Sequence, residues 1–354
     1  MTTPLTILTG FLGAGKTTLL NRIIHADHGL KLAVLVNDFG AVNIDSALVA
    51  ATSVDGDTVS LSNGCICCTI RGDLLGAVAG LFERDDPPEY IILETSGVSD
   101  PLEVAMTFRD VPQMRALVHI DSIVSLIDAA NFLDYQREHA VLAMNQIGVA
   151  DLVVLNKVDL VADGQLAEVE ATARRLVRGV RVFHTTHADV PLELLLGVGA
   201  YDPARLVDRP RTDVHVHAED DDGGHDHHHH HTDHTTVFHT YRWEGDEPFN
   251  VAELRRQLAR LPVGVYRMKG FIATDDAPGV RQVLHVVGRR VDLRPDTAWD
   301  GDGATHNTIV AIGRADEVRA DEIDPLLTAA LASNAPKGEL DRLARHVRGW
   351  FGSA

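Results

Sequence analysis

Gly10, Gly15, Lys16 and Thr17 in GFLGAGKT (10–17) satisfy the phosphate-loop spacing G-x-x-x-x-G-K-[ST]. The chemistry this predicts is polyphosphate binding. Glycines let backbone N–H groups close around phosphate oxygens, and a helix starting just after them adds partial positive charge. Gly13, Ala14 and Thr18 complete the expected cradle. Lys16 is expected on the β- and γ-phosphates, and the Thr17 hydroxyl on Mg²⁺.

A second group names the base. In DLVVLNKVD (151–159) an apolar run leads into Asn156, Lys157 and Asp159. A fixed carboxylate at Asp159 can accept from both the ring N1–H and the exocyclic amine of guanine, with Asn156 and the Lys157 stem packed against the base. Adenine lacks that donor pair, and a site so built discriminates by about 10⁴-fold or more. The expected nucleotide is GTP.

The third group is GCICCT, which holds all three cysteines of the chain: Cys65, Cys67 and Cys68. Free cysteines often serve as small buried hydrophobes, and a disulfide is another use. Packing does not explain such clustering, and crowded thiolates repel unless a cation neutralises them. Zn²⁺ does this well, leaving a fourth position to another side chain, a substrate or water.

Each motif adjoins an element able to hold it. LTILT (5–9) reads as a buried strand and TLLNRIIHA (18–26) as a helix, so the phosphate loop joins strand to helix. KLAVLV is the second strand, followed by Asn37, Asp38 and Asp45. EYIILETSGVSDP (89–101) is a strand ending in Glu94, the expected Walker B acid that orients Mg²⁺ or water. Gly97, just beyond it, allows close approach to the γ-phosphate. VFHTTHADVPL (182–192) could close over the base. Ligands in such sheets gather outside the carboxyl ends of the strands. His119, His184 and His187 are further candidate metal ligands, the last two more simply read as nucleotide contacts or local packing.

The alternation of strands and helices predicts an α/β fold of P-loop NTPase type, a doubly wound, mostly parallel sheet over residues 1–200. Residues 201–235 break this pattern. AEDDDGGHDHHHHHTDH (218–234) is acidic and almost free of apolar residues, so a flexible linker is expected. Its imidazoles, His225, His227, His228, His229, His230, His231 and His234, suit metal collection or buffering. Residues 236–354 read as a smaller α+β domain. Strands are expected at 236–243, 265–273, 281–288 and 307–313, a helix at 250–261, and closing helices from about 320 to 350.

Composition narrows the partners. A net charge of −19 opposes nucleic acid and anionic membranes as partners. No apolar run reaches about 18 residues, so no membrane span is expected. The first strand begins by residue 5, leaving no room for a signal peptide, so a cytoplasmic, reducing location is expected.

Taken together, GFLGAGKTTLL, NDFG, NGCICCT, ETSGVSDP and NKVD resemble the CobW family of P-loop GTPases, relatives of the nickel-handling GTPases of hydrogenase and urease maturation. The resemblance covers about residues 3–198 and resumes in RMKGFI (267–272) and NTIVAIG (307–313), which resemble the family's C-terminal domain. It implies a GTP-dependent metallochaperone that delivers zinc or cobalt to a client metalloprotein. It also implies an acidic metal ligand at position 38, where the family usually has Glu and this chain has the shorter Asp38. Slow intrinsic GTP hydrolysis is expected, since no glutamine or arginine finger is evident, and homo-oligomerisation is possible. Three other readings stay open: cobalt delivery for cobalamin or nitrile hydratase maturation, zinc storage or buffering, and a signalling GTPase with redox-sensing cysteines.

Overall fold

The computed structural model describes residues 2–26, 28–37, 58–60, 69–135, 137–196, 238–299, 305–314 and 316–335. Asp38, Cys65, Cys67, Cys68, the 201–235 segment with its histidines, and the end of the chain from 336 lie outside the described residues.

Among the described residues, seven parallel strands form the first sheet: β1 (Thr3–Gly10), β2 (Leu32–Asn37), β3 (Thr58–Ser60), β4 (Tyr90–Thr95), β5 (Val118–Asp128), β6 (Leu152–Asn156) and β7 (Arg181–His184). Their order is β3-β2-β4-β1-β5-β6-β7, with β1 at the centre. The strands are apolar on both faces because both are covered. Leu5 and Ile7 of β1 pack with Leu35, Ile91 and Leu93 against α2 (Thr69–Phe82) and α3 (Pro101–Asp110). Leu8, on the other face, joins Leu19, Leu20 and Ile23 of α1 (Lys16–His25). After α3 come α4 (Pro112–Leu117), α5 (Arg137–Gly148) and α6 (Asp163–Leu176), of which α5 and α6 cover β6 through Ile147, Leu166 and Val169.

A one-turn helix, α7 (Leu192–Leu195), ends this part. The C-terminal domain is an antiparallel sheet of β8 (Phe238–Gly245), β9 (Val265–Ile272), β10 (Val280–Val287), β11 (Arg290–Ala298) and β12 (Asn307–Arg314), in the order β11-β10-β9-β12-β8. Helices α8 (Val251–Leu258) and α9 (Ala320–Ala329) cover one face, where Met268, Leu284 and Ile309 form its core. The opposite side sends Tyr266, Val310 and Ile312 into the α1-side core of the first domain. The fold class is therefore the one expected from sequence. Strand β11 is the addition: RVDLRPDTA contains Pro295 and reads poorly as a strand, but it lies at a sheet edge, where proline is tolerated.

Candidate functional site

Parallel topology brings the carboxyl ends of β1 and β4 side by side, with Leu8 registered beside Glu94. Between them opens a cleft of about 250 Å³, lined by Leu12, Gly13, Gly15 to Thr18, Val36 and Glu94 to Gly97. Gly15 holds the entry to α1 in the left-handed region, at φ 105°, where any side chain is strained. A Cβ there would also stand 2.3 Å from Asn156 Nδ2. No side chain caps this helix start and no acid lies in its first turn, so its amides and dipole are left to an anion.

Lys16 is buried and folds back over the loop, donating from Nζ to the carbonyls of Gly10 at 2.9 Å and Phe11 at 3.2 Å. The Thr17 hydroxyl donates to Glu94 Oε1 at 3.3 Å. Glu94 itself is 3% exposed. A hydroxyl and a carboxylate so placed are hard oxygen ligands, the donor set that Mg²⁺ prefers. Thr95, next on β4, ties its hydroxyl to that of Thr9 at 3.0 Å and so fixes the two strand ends to each other. Gly97 is pressed against the phosphate loop: a Cβ there would meet Leu12 N at 2.7 Å. Its carbonyl accepts from Gln146 Nε2 at 3.1 Å, which anchors the 96–99 turn to α5.

The residues expected on the base side lie at and just after the end of β6. Asn156 is a two-sided clamp, donating from Nδ2 to Ala14 O at 2.9 Å and accepting from Ala188 N at 2.8 Å. It joins the phosphate loop to the segment after β7. Three non-glycine residues here have positive φ: Lys157 at 63°, His187 at 50° and Ala188 at 55°. Such backbone persists where packing over-determines it, often at binding sites. Lys157 Nζ pairs with Asp128 Oδ2 at 2.7 Å. Asp159 lies exposed on the turn Val158–Leu160.

Sequence reasoning missed Asp128 and Gln146. Asp128 ends β5 and also accepts from Ala130 N and Asn131 Nδ2. The available signal was an acid closing the apolar run SIVSLID, the same pattern that marks Glu94. The histidine candidates do not converge. His184 Nε2 lies 2.8 Å from Glu170 Oε2, a contact that holds the Glu170 carboxyl down at about 2. His119 pairs with Thr2 between the domains, and His187 is exposed. Among the described residues no group of three His, Cys, Asp or Glu is placed to hold a metal ion, and no helix is long and apolar enough to cross a membrane.

Residues 4–184 match the family model of the CobW/HypB/UreG nucleotide-binding domain, and residues 238–331 match the cobalamin synthesis protein cobW C-terminal domain. A zinc chaperone CobW of Pseudomonas aeruginosa is 32% identical over 340 residues, covering 88% of this chain and 87% of that protein. A zinc chaperone CobW of a Sinorhizobium species is 29% identical, covering 88% of this chain and 92% of that protein. The zinc-regulated GTPase metalloprotein activator 1 of Dictyostelium discoideum is 34% identical over 241 residues, but the match spans only 50% of that longer protein. A solved structure, Zn(II)-bound YjiA GTPase from E. coli, is 26% identical, with a TM-score of 0.42 over 93% of this chain and 99% of that one. On the strength of the two family matches and the near full-length likeness to its relatives, the chain belongs to the CobW/HypB/UreG family and carries a CobW C-terminal domain.

Proposed function

We propose that this chain is a GTP-dependent zinc chaperone. It binds GTP·Mg²⁺ at the cleft between β1 and β4, holds Zn²⁺ as cargo on Cys65, Cys67, Cys68 and Asp38, and passes it to a client metalloprotein. The observation that carries this reading is the convergence of Lys16, Thr17 and Glu94 on one cleft. Zinc as cargo and a client as its destination are supported by the relatives described as zinc chaperones.

Thr17 and Glu94 would hold Mg²⁺, which when bound neutralises charge on the β- and γ-phosphate oxygens. Lys16 exchanges the Gly10 and Phe11 carbonyls for phosphate oxygens. Gly97 brings its backbone N–H to the γ-phosphate side of the cleft. Asp159 accepts from guanine N1–H and the exocyclic amine, while the Lys157 stem supports the base. The described residues lining the cleft include no glutamine or arginine, and Gln146 is committed to the Gly97 and Ser99 carbonyls, which supports slow intrinsic hydrolysis. The cysteines lie in sequence between β3 and α2, and in this proposal the zinc site is coupled to the γ-phosphate. By linkage Zn²⁺ then changes GTP affinity by the factor that GTP changes Zn²⁺ affinity.

The test is Zn²⁺ affinity by chelator competition with GTPγS·Mg²⁺ and with GDP·Mg²⁺, on the chain with and without residues 218–234. A shift of about tenfold, lost in Cys67→Ser, supports the switched chaperone. Equal affinity in the two nucleotide states favours zinc storage, and Co²⁺ preferred over Zn²⁺ favours cobalt delivery.

A further inference from the structure

The RMKGFI segment forms most of β9, and its role is not explained by the nucleotide cleft. Met268 and Ile272 face the core of their own domain. Arg267, the neighbour just before Met268 in the alternation, points the other way and is 1% exposed. Its Nη2 donates to both oxygens of Asp121, at 2.9 and 2.7 Å, and its Nη1 reaches the carbonyls of Leu194 at 3.2 Å and Leu195 at 3.4 Å. The Tyr90 hydroxyl donates to Asp121 Oδ2 at 2.6 Å and stands 3.2 Å from Leu195 O. The carbonyls of a one-turn helix have few partners of their own; Arg267 donates to those of Leu194 and Leu195, the latter shared with the Tyr90 and Thr6 hydroxyls.

That helix closes the segment that begins after β7. Upstream, Ala188 N donates to Asn156 Oδ1, and Asn156 Nδ2 holds Ala14 in the phosphate loop. Ala188, Val190, Leu194 and Leu195 are packed in one core with Leu19 and Leu20 of α1 and with Tyr266 of β9. A continuous set of contacts therefore runs from the C-terminal sheet to both walls of the nucleotide site.

We infer that Arg267 is a positioning residue for guanine-nucleotide binding: through the Leu194 and Leu195 carbonyls, the C-terminal domain holds residues 185–195 against Asn156. This rests on the GTP-binding reading above. A partner that draws the C-terminal sheet away then weakens nucleotide binding, and bound nucleotide favours the docked sheet by the same factor.

The experiment measures GDP and IDP affinity by competition against a fluorescent GDP analogue on the full chain. IDP lacks the guanine amine. Arg267→Lys keeps a charge opposite Asp121 but cannot span the carboxylate and two carbonyls. It is expected to weaken GDP binding about tenfold and to shrink the preference for GDP over IDP. Arg289→Ala removes another cross-domain contact, to Arg178 O, far from the base wall, and is expected to leave both affinities unchanged. A folded Arg267→Lys chain that binds GDP within twofold of wild type overturns the inference. If that variant does not fold, Tyr90→Phe serves instead: a threefold or greater loss for GDP supports the inference, and an unchanged affinity overturns it. Wild-type chain that binds no GDP removes the GTP reading itself, an outcome distinct from either.

Discussion

Lys157 Nζ sits 2.7 Å from Asp128 Oδ2, so the lysine of the guanine motif is held by a carboxylate from the neighbouring strand. Asp128 is 3% exposed and accepts two further hydrogen bonds, which fixes its orientation. The lysine side chain is thereby ordered before any nucleotide arrives, and the entropy of ordering it is met on folding rather than on binding.

Asp128→Asn keeps the shape of this anchor and removes its charge. The expected result is a loss of GDP affinity of about tenfold or more, read by fluorescent-nucleotide titration, with the cysteine-site Zn²⁺ affinity unchanged in the absence of nucleotide. An unchanged GDP affinity would mean that Lys157 needs no anchor.

Glu94→Gln retains the bond from Thr17 but loses the charge that Mg²⁺ requires. GTP turnover, followed by phosphate release, is expected to fall about 100-fold, while Mg²⁺-independent GDP binding changes little. Turnover within threefold of wild type would place Glu94 outside the hydrolytic machinery.

Gly97→Ala puts a methyl group 2.7 Å from Leu12 N and 2.8 Å from the Leu12 side chain. The 96–99 turn and the phosphate loop must part. Turnover is expected to drop about tenfold, with a stability loss of about 1–3 kcal/mol in denaturant unfolding. Unaltered kinetics would show that this close approach serves packing alone.

His119 supplies a pH dependence. Burial between the domains, with Arg294 nearby, pushes it from 6.5 down to about 4. An unfolded chain binds this proton near pH 6.5, whereas the folded chain resists it until near pH 4. Stability from this group therefore falls as pH drops through that window and changes no further below it. Thermal melts of wild type and His119→Gln at pH 7.5 and 5.0 check this. The wild type is expected to lose more on acidification, and parallel losses would refute the assignment.

Much of the nucleotide site was determined by the sequence alone, because its demands are local. A loop that wraps phosphate needs glycines at set intervals and a helix start immediately after, and both are written in consecutive residues from Gly10 to Thr18. Strand-end acids such as Glu94 are legible for the same reason: a parallel sheet gathers its carboxyl ends, so an acid closing an apolar run has a predictable place. The family resemblance rests on these same local words. Which distant residues support them is settled by packing across the whole fold. Asp121 and Arg267 are 146 positions apart, and neither carries a local signal for its partner beyond being a charge in an apolar strand. Their pairing follows from a whole antiparallel sheet docking on the first domain. Asp128 under Lys157, Gln146 behind Gly97 and Ala188 on Asn156 likewise exist only once strands and helices have packed, because burying a charge or amide requires partners that chain proximity does not supply.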